Sequence, residues 1–127
     1  MSDAGPEPGT RLEWRRTFTE DEIQRVTELS QDRSEHHGAR DARGRLTAHG
    51  LLTATLPTKL GSDLRYIART LELDFQRPAY AGEEMRCVGI VESVEREATR
   101  LAVRLSFTVT NPKGKTVLLG ASSGIIR

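Results

Sequence analysis

The stretch SQDRSEHHGARDARGRLTAHGLL, residues 30–52, places Asp32, Glu35, His36, His37 and His49 in one polar run that turns abruptly apolar. A carboxylate and an imidazole close together are the groups that exchange protons with a substrate near neutral pH. The same residue types also build metal centres, and they also furnish ordinary charged loops. His36, His37 and His49 lack a recognised zinc spacing, and the only cysteine, Cys87, is distant in sequence, so no metal and no cofactor is expected. Taken alone, Asp32 fits an acid-base role or the end of a preceding helix, and His49 fits a hydrogen bond at a helix start.

The elements that must position these residues can be read on both sides. Leu12 and Trp14 alternate with charge over residues 11–18, which predicts a short strand. Thr19 and Glu22 form a capping box, and Ile23, Val26 and Leu29 follow at helical spacing, so a helix is predicted over 20–30. Residues 31–46 have no periodicity; Gly38, Gly44 and the charges Arg40, Asp41, Arg43 and Arg45 predict a solvated connector. AHGLLTATLPTKL, residues 48–60, is apolar on nearly every side, as in a central helix buried all round, with a kink or early end near 56–60 imposed by Pro57.

The second half changes period from helical to strand. Leu71, Leu73 and Phe75 alternate with polar residues, and so do Leu101, Val103, Leu105, Phe107 and Val109. Residues 86–94 carry apolar or small residues on both faces, predicting a strand packed on two sides, and Cys87 reads as a small buried member of it. The turn NPKG, residues 111–114, leads to a last strand over 116–126. Strand, helix, buried helix and a run of hairpin-linked antiparallel strands define an α+β fold, one sheet wrapped around one helix. The edge strand that such a sheet leaves open predicts a homodimer.

Composition bounds the rest. A chain of 127 residues with 36% apolar content supports one domain, predicted over 10–127 behind a disordered tail, MSDAGPEPG, at 1–9. Charge is nearly balanced at +1, which argues against nucleic acid. No apolar run reaches the roughly 20 residues of a membrane span, and a single cysteine with no signal-like start predicts a reducing, cytoplasmic location.

Three segments resemble the MaoC-like branch of the hotdog fold, which contains (R)-specific enoyl-CoA hydratases and 3-hydroxyacyl-thioester dehydratases. QDRSEHH, residues 31–37, is similar to a pattern of glycine, aspartate, any residue, asparagine, proline, any residue, histidine. AHGLLTATLPT, residues 48–58, is similar to the histidine-glycine opening of the central helix, and FQRPAYAGEEM, residues 75–85, to the Phe-x-x-Pro-Val-x-x-Gly-Asp strand and turn. The resemblance covers the chain from about Thr17 onward. It implies a hotdog fold and an acyl-CoA or acyl-carrier-protein thioester as substrate.

By that resemblance, Asp32 and His37 are the catalytic pair, Gly50 supplies the backbone N–H that holds the thioester oxygen, and Thr58 stands where relatives place a serine. Hydration of a 2-enoyl thioester needs water deprotonated at C3, a proton delivered at C2 and an enolate stabilised at the thioester oxygen. Gln31 replaces the family glycine, Ser34 and Glu35 replace the asparagine and proline, and the connector to His49 is short. A slip of one residue would put His36 in place of His37. Two other readings remain: a hotdog thioesterase using Glu35 or Asp32, and a non-catalytic acyl-thioester-binding subunit. Arg77, Lys113 and Lys115 stay open between carrier phosphates and ordinary surface charge.

Overall fold

The computed structural model of the chain describes residues 5–34 and 38–127. Strand β1 (Arg11–Thr17) precedes helix α1 (Glu20–Ser30), and a connector leads to the short helices α2 (Gly50–Thr53) and α3 (Thr55–Asp63). Four strands follow: β2 (Tyr66–Phe75), β3 (Glu84–Arg96), β4 (Leu101–Thr110) and β5 (Thr116–Ile126). Before Thr10, the Gly9 N–H already donates to the Val91 carbonyl, so the chain touches β3 ahead of β1.

Helix α1 starts where local chemistry requires. Thr19 accepts from the Glu22 N–H, and the Glu22 carboxylate accepts from the Thr19 N–H in return. It ends at Gln31, a non-glycine residue held left-handed at φ 61°. That conformation crowds a Cβ, and the Gln31 side chain offsets part of the cost by donating to the Glu28 carbonyl at 2.6 Å. Gln31→Gly is expected to raise stability by about 1 kcal/mol, an increase of about 4 °C in Tm by calorimetry; an unchanged or lower Tm would contradict it.

The sheet order is β1-β3-β4-β5-β2, with every neighbouring pair antiparallel. The expected hairpins hold for β3-β4-β5 but not for β2 and β3, which stand three strands apart. Strand β2 pairs with β5 instead, where Gly120 and Gly124 leave room: a Cβ at Gly124 would sit 2.2 Å from the Ile67 carbonyl oxygen. The crossing segment, residues 76–83, runs past the N-terminus of α2. Ala48 N–H donates to Ala79, Ala81 N–H to Leu46, and Thr47 bridges Tyr80.

The central helix differs from expectation in two ways. Its break falls at Ala54, not at 56–60. Proline lacks the N–H for the preceding turn and presses on it, so the interruption lies upstream and Pro57 sits in the first turn of α3. The helix is also not buried all round. Leu52, Leu56 and Leu60 pack on the sheet with Phe18, Met85 and Val109, while Leu51, Thr55, Thr58 and Ser62 form an exposed stripe. One sheet covers only one side of a helix. Strand β3 is likewise packed on one face: Met85, Cys87 and Val91 are buried, and Val88 and Ile90 only half so. Cys87 is completely buried as expected, and burial pushes its thiol up to about 12.

The charged connector is more than solvated. Asp41 accepts from the Arg43 and Arg45 N–H groups, Arg45 stacks on the Tyr80 ring at 3.7 Å, and Arg40 pairs with Glu20 of α1. These hydrogen bonds hold the Asp41 carboxyl below the usual carboxylate range, the Arg45 N–H contributing most. The connector is thereby fastened to α1 on one side and to the crossing segment on the other.

Candidate active site

A cavity of about 730 Å³ opens where the exit of α1, the start of α2 and the crossing segment meet. Its floor is buried and formed by Ala48, His49, Thr53, Ala79 and Val117; Asp32, Leu51, Phe75 and Arg77 stand exposed around it. Asp32 and Gly50 therefore face one space from two different elements. His37, His36 and Glu35 lie outside the described residues.

Asp32 follows directly from the left-handed Gln31, whose geometry turns the chain off the helix axis. Its Oδ1 accepts from the Ser34 hydroxyl at 2.6 Å and from the Ser34 N–H at 3.3 Å. Ser34, which departs from the family asparagine, thus still supplies a donor to this carboxylate.

Gly50 is the first residue of α2, where an N–H has no partner in the preceding turn of its helix. The bonds from Thr53 to His49 and from Ala54 to Gly50 begin the helical series behind it. Phe75 lies against Gly50 so closely that a Cβ there would be 2.7 Å from the ring Cε1. Only glycine allows the strand end and the helix start to approach in this way.

His49 is buried, with 3% of its surface exposed, and its Nε2 lies 3.0 Å from Thr27 Oγ1 and 3.4 Å from the Asp32 carbonyl. The Thr27 hydroxyl donates its single hydrogen to the Ile23 carbonyl, so toward His49 it accepts. Both contacts then require the proton on Nε2. His49 joins α1, the Asp32 segment and the start of α2.

Thr58 is not brought to this cavity. It lines a separate hollow of about 180 Å³ with Tyr66, Leu71, Phe107 and Ser122, one to two turns further along the central helix, and its hydroxyl donates to the Ala54 carbonyl at 3.0 Å. Burial raises the Tyr66 phenol above its usual range, and a 2.7 Å hydrogen bond ties it to Ser122. Sequence reasoning did not find the roles of Phe75, Ser34 and Thr27. Phe75 read as an apolar residue of an alternating strand and as the first residue of the 75–85 resemblance, and nothing local says which residue it covers.

No protein-family model and no curated protein sequence matches the chain. Solved structures do match. The (R)-hydratase from A. caviae involved in PHA biosynthesis is 22% identical with a TM-score of 0.82, over 97% of this chain and 98% of that one. The R-hydratase PhaJ1 from Pseudomonas aeruginosa is 24% identical with a TM-score of 0.80, over 94% and 81%. A MaoC-like dehydratase from Rhodospirillum rubrum is 17% identical with a TM-score of 0.71, over 95% and 92%. The five-stranded sheet around one broken helix is the hotdog fold. That fold is shared along nearly the whole chain with these three structures.

Proposed function

We propose that the chain is a MaoC-like hydratase or dehydratase, interconverting a 2-enoyl thioester of CoA or a carrier protein and the (R)-3-hydroxyacyl thioester. The observation that supports it most is that Asp32 and Gly50, from separate elements, line one cavity with a buried apolar floor. Asp32 and His37 hold and deprotonate the water, whose oxygen attacks C3. The C2–C3 π electrons move toward the thioester, leaving an enolate whose oxygen accepts from the Gly50 N–H, and C2 then takes a proton from the dyad. Thr58, on a separate hollow further along the helix, takes no part in this step.

The active form is a homodimer, located in the cytoplasm. Ile67 and Leu71 of the edge strand β2 are 48% and 50% exposed. Apolar groups of this size on an edge strand are the surface a second copy covers. Leu71→Asp is expected to give monomers by light scattering at micromolar concentration; dimers of unchanged stability would remove β2 from the interface.

Crotonyl-CoA tests the reaction. Hydration removes the enoyl absorbance without freeing thiol. Release of CoA thiol at the same rate would make the protein a thioesterase, and neither signal over several acyl lengths would leave a thioester-binding subunit.

A further inference from the structure

We infer that Arg77, with Lys115 and Lys113 beyond it, is the site that recognises the phosphate of the substrate's phosphopantetheine arm. This rests on the acyl-thioester reading of the cavity. With the thioester oxygen at the Gly50 N–H and the acyl chain directed inward, the carrier arm must leave over the exposed rim, where Phe75 is followed two residues later by Arg77.

Arg77 is fixed there. Its N–H donates to the Val117 carbonyl at 3.3 Å, and its guanidinium Nη1 donates to the Thr116 carbonyl at 2.8 Å. The side chain is thereby laid against the first residues of β5, immediately after the turn that carries both lysines. That turn is itself held, because Asn111 Oδ1 accepts from the Lys113 and Lys115 N–H groups at 3.0 Å each. A guanidinium has five N–H donors, so one bond to a carbonyl positions it while leaving donors for an anion.

Arginines elsewhere on the surface, such as Arg16, Arg40, Arg45 and Arg86, sit on carboxylates. Among the described residues, no ion pair involves Arg77, Lys113 or Lys115, and neither residues 75–79 nor residues 111–119 contain an acidic side chain. Asp74 precedes Phe75 and, by strand alternation, points to the other face. Arg77 on the cavity lining, with Lys115 next to the Thr116 whose carbonyl holds it, thus carries positive charge in no ion pair among the described residues, which is the chemistry that holds a phosphate.

Calorimetric titration of the full chain with pantetheine, 4′-phosphopantetheine and CoA tests this. The phosphorylated arms are expected to bind at least about tenfold tighter than pantetheine, with Arg77→Ala and the double variant Lys113→Ala/Lys115→Ala each removing most of that ratio and Arg77→Lys restoring part of it. Equal affinity for phosphopantetheine and CoA identifies the phosphate common to CoA and carrier proteins; tighter CoA binding identifies the further phosphates of CoA. A ratio near one in the wild type, or a ratio unchanged in both alanine variants, overturns the assignment. Phosphate-dependent binding of crotonyl-CoA without its hydration leaves the assignment standing and removes the hydratase reading. Hydration of crotonyl-pantetheine and crotonyl-CoA with equal KM does the reverse.

Discussion

Asp32→Asn is expected to lower kcat for crotonyl-CoA hydration by about 10²–10⁴-fold, the range supplied by a positioned general acid or base. Asparagine is close in shape to aspartate, and its Oδ1 can still accept from the Ser34 hydroxyl and N–H, so the segment after α1 keeps its conformation. What disappears is the negative charge and the ability to take a proton from water. Asp32 is exposed at the cavity rim, away from the buried core, so stability should change by no more than about 0.5 kcal/mol. Steady-state kinetics beside a thermal melt separate the two effects. Retention of more than a tenth of the wild-type kcat would remove Asp32 from the chemistry, and the dyad with it.

Gly50→Ala should be the second most damaging change to activity while leaving the fold intact. In most helix positions alanine is better than glycine by about 1 kcal/mol. Here the added methyl would lie 2.7, 3.0 and 3.1 Å from Phe75 Cε1, Cδ1 and Cζ. Those atoms are the far end of a half-exposed side chain, so the ring swings away at little cost and the protein still folds. The methyl then takes up space beside the N–H proposed to hold the thioester oxygen and crowds the approaching substrate, and kcat/KM is expected to fall by about 10²–10³-fold, as for loss of one oxyanion donor. The double variant Gly50→Ala/Phe75→Leu, which relieves the crowding, should remain as impaired. Recovery of activity in it would assign the loss to the displaced ring instead of the blocked N–H.

Legibility from sequence followed the range of the interaction. Helix α1 matches its predicted span because its signals, the Thr19–Glu22 box and the spacing of Ile23 and Val26, lie within the helix itself. Strands β4 and β5 were legible for a similar reason, since alternation and the 111–114 turn are local. The error at the central helix has the opposite origin. Its composition is apolar on nearly every side, but how much of it is covered depends on a single five-stranded sheet that reaches only one of its faces. The exposed stripe left over, Leu51, Thr55, Thr58 and Ser62, follows from that one-sided cover.

The candidate site divides in the same manner. The resemblance of residues 31–37 and 48–58 to a known pattern singled out Asp32 and Gly50, whereas the residue types alone left Asp32 open between an acid-base group and a helix end. That they face one cavity was decided by the tertiary structure. The β2–β5 pairing sends residues 76–83 across the start of α2 and sets Phe75 on Gly50 and Arg77 at the rim. The same folding buries His49 between Thr27 and the Asp32 carbonyl and leaves Thr58 on a different hollow. Sequence alone thus determined helix α1, the late strands and the fold class, since capping, alternation and turns act over a few residues. Only the tertiary structure decided which groups share a space, because strand pairing and the covering of a helix depend on contacts between residues far apart in the chain.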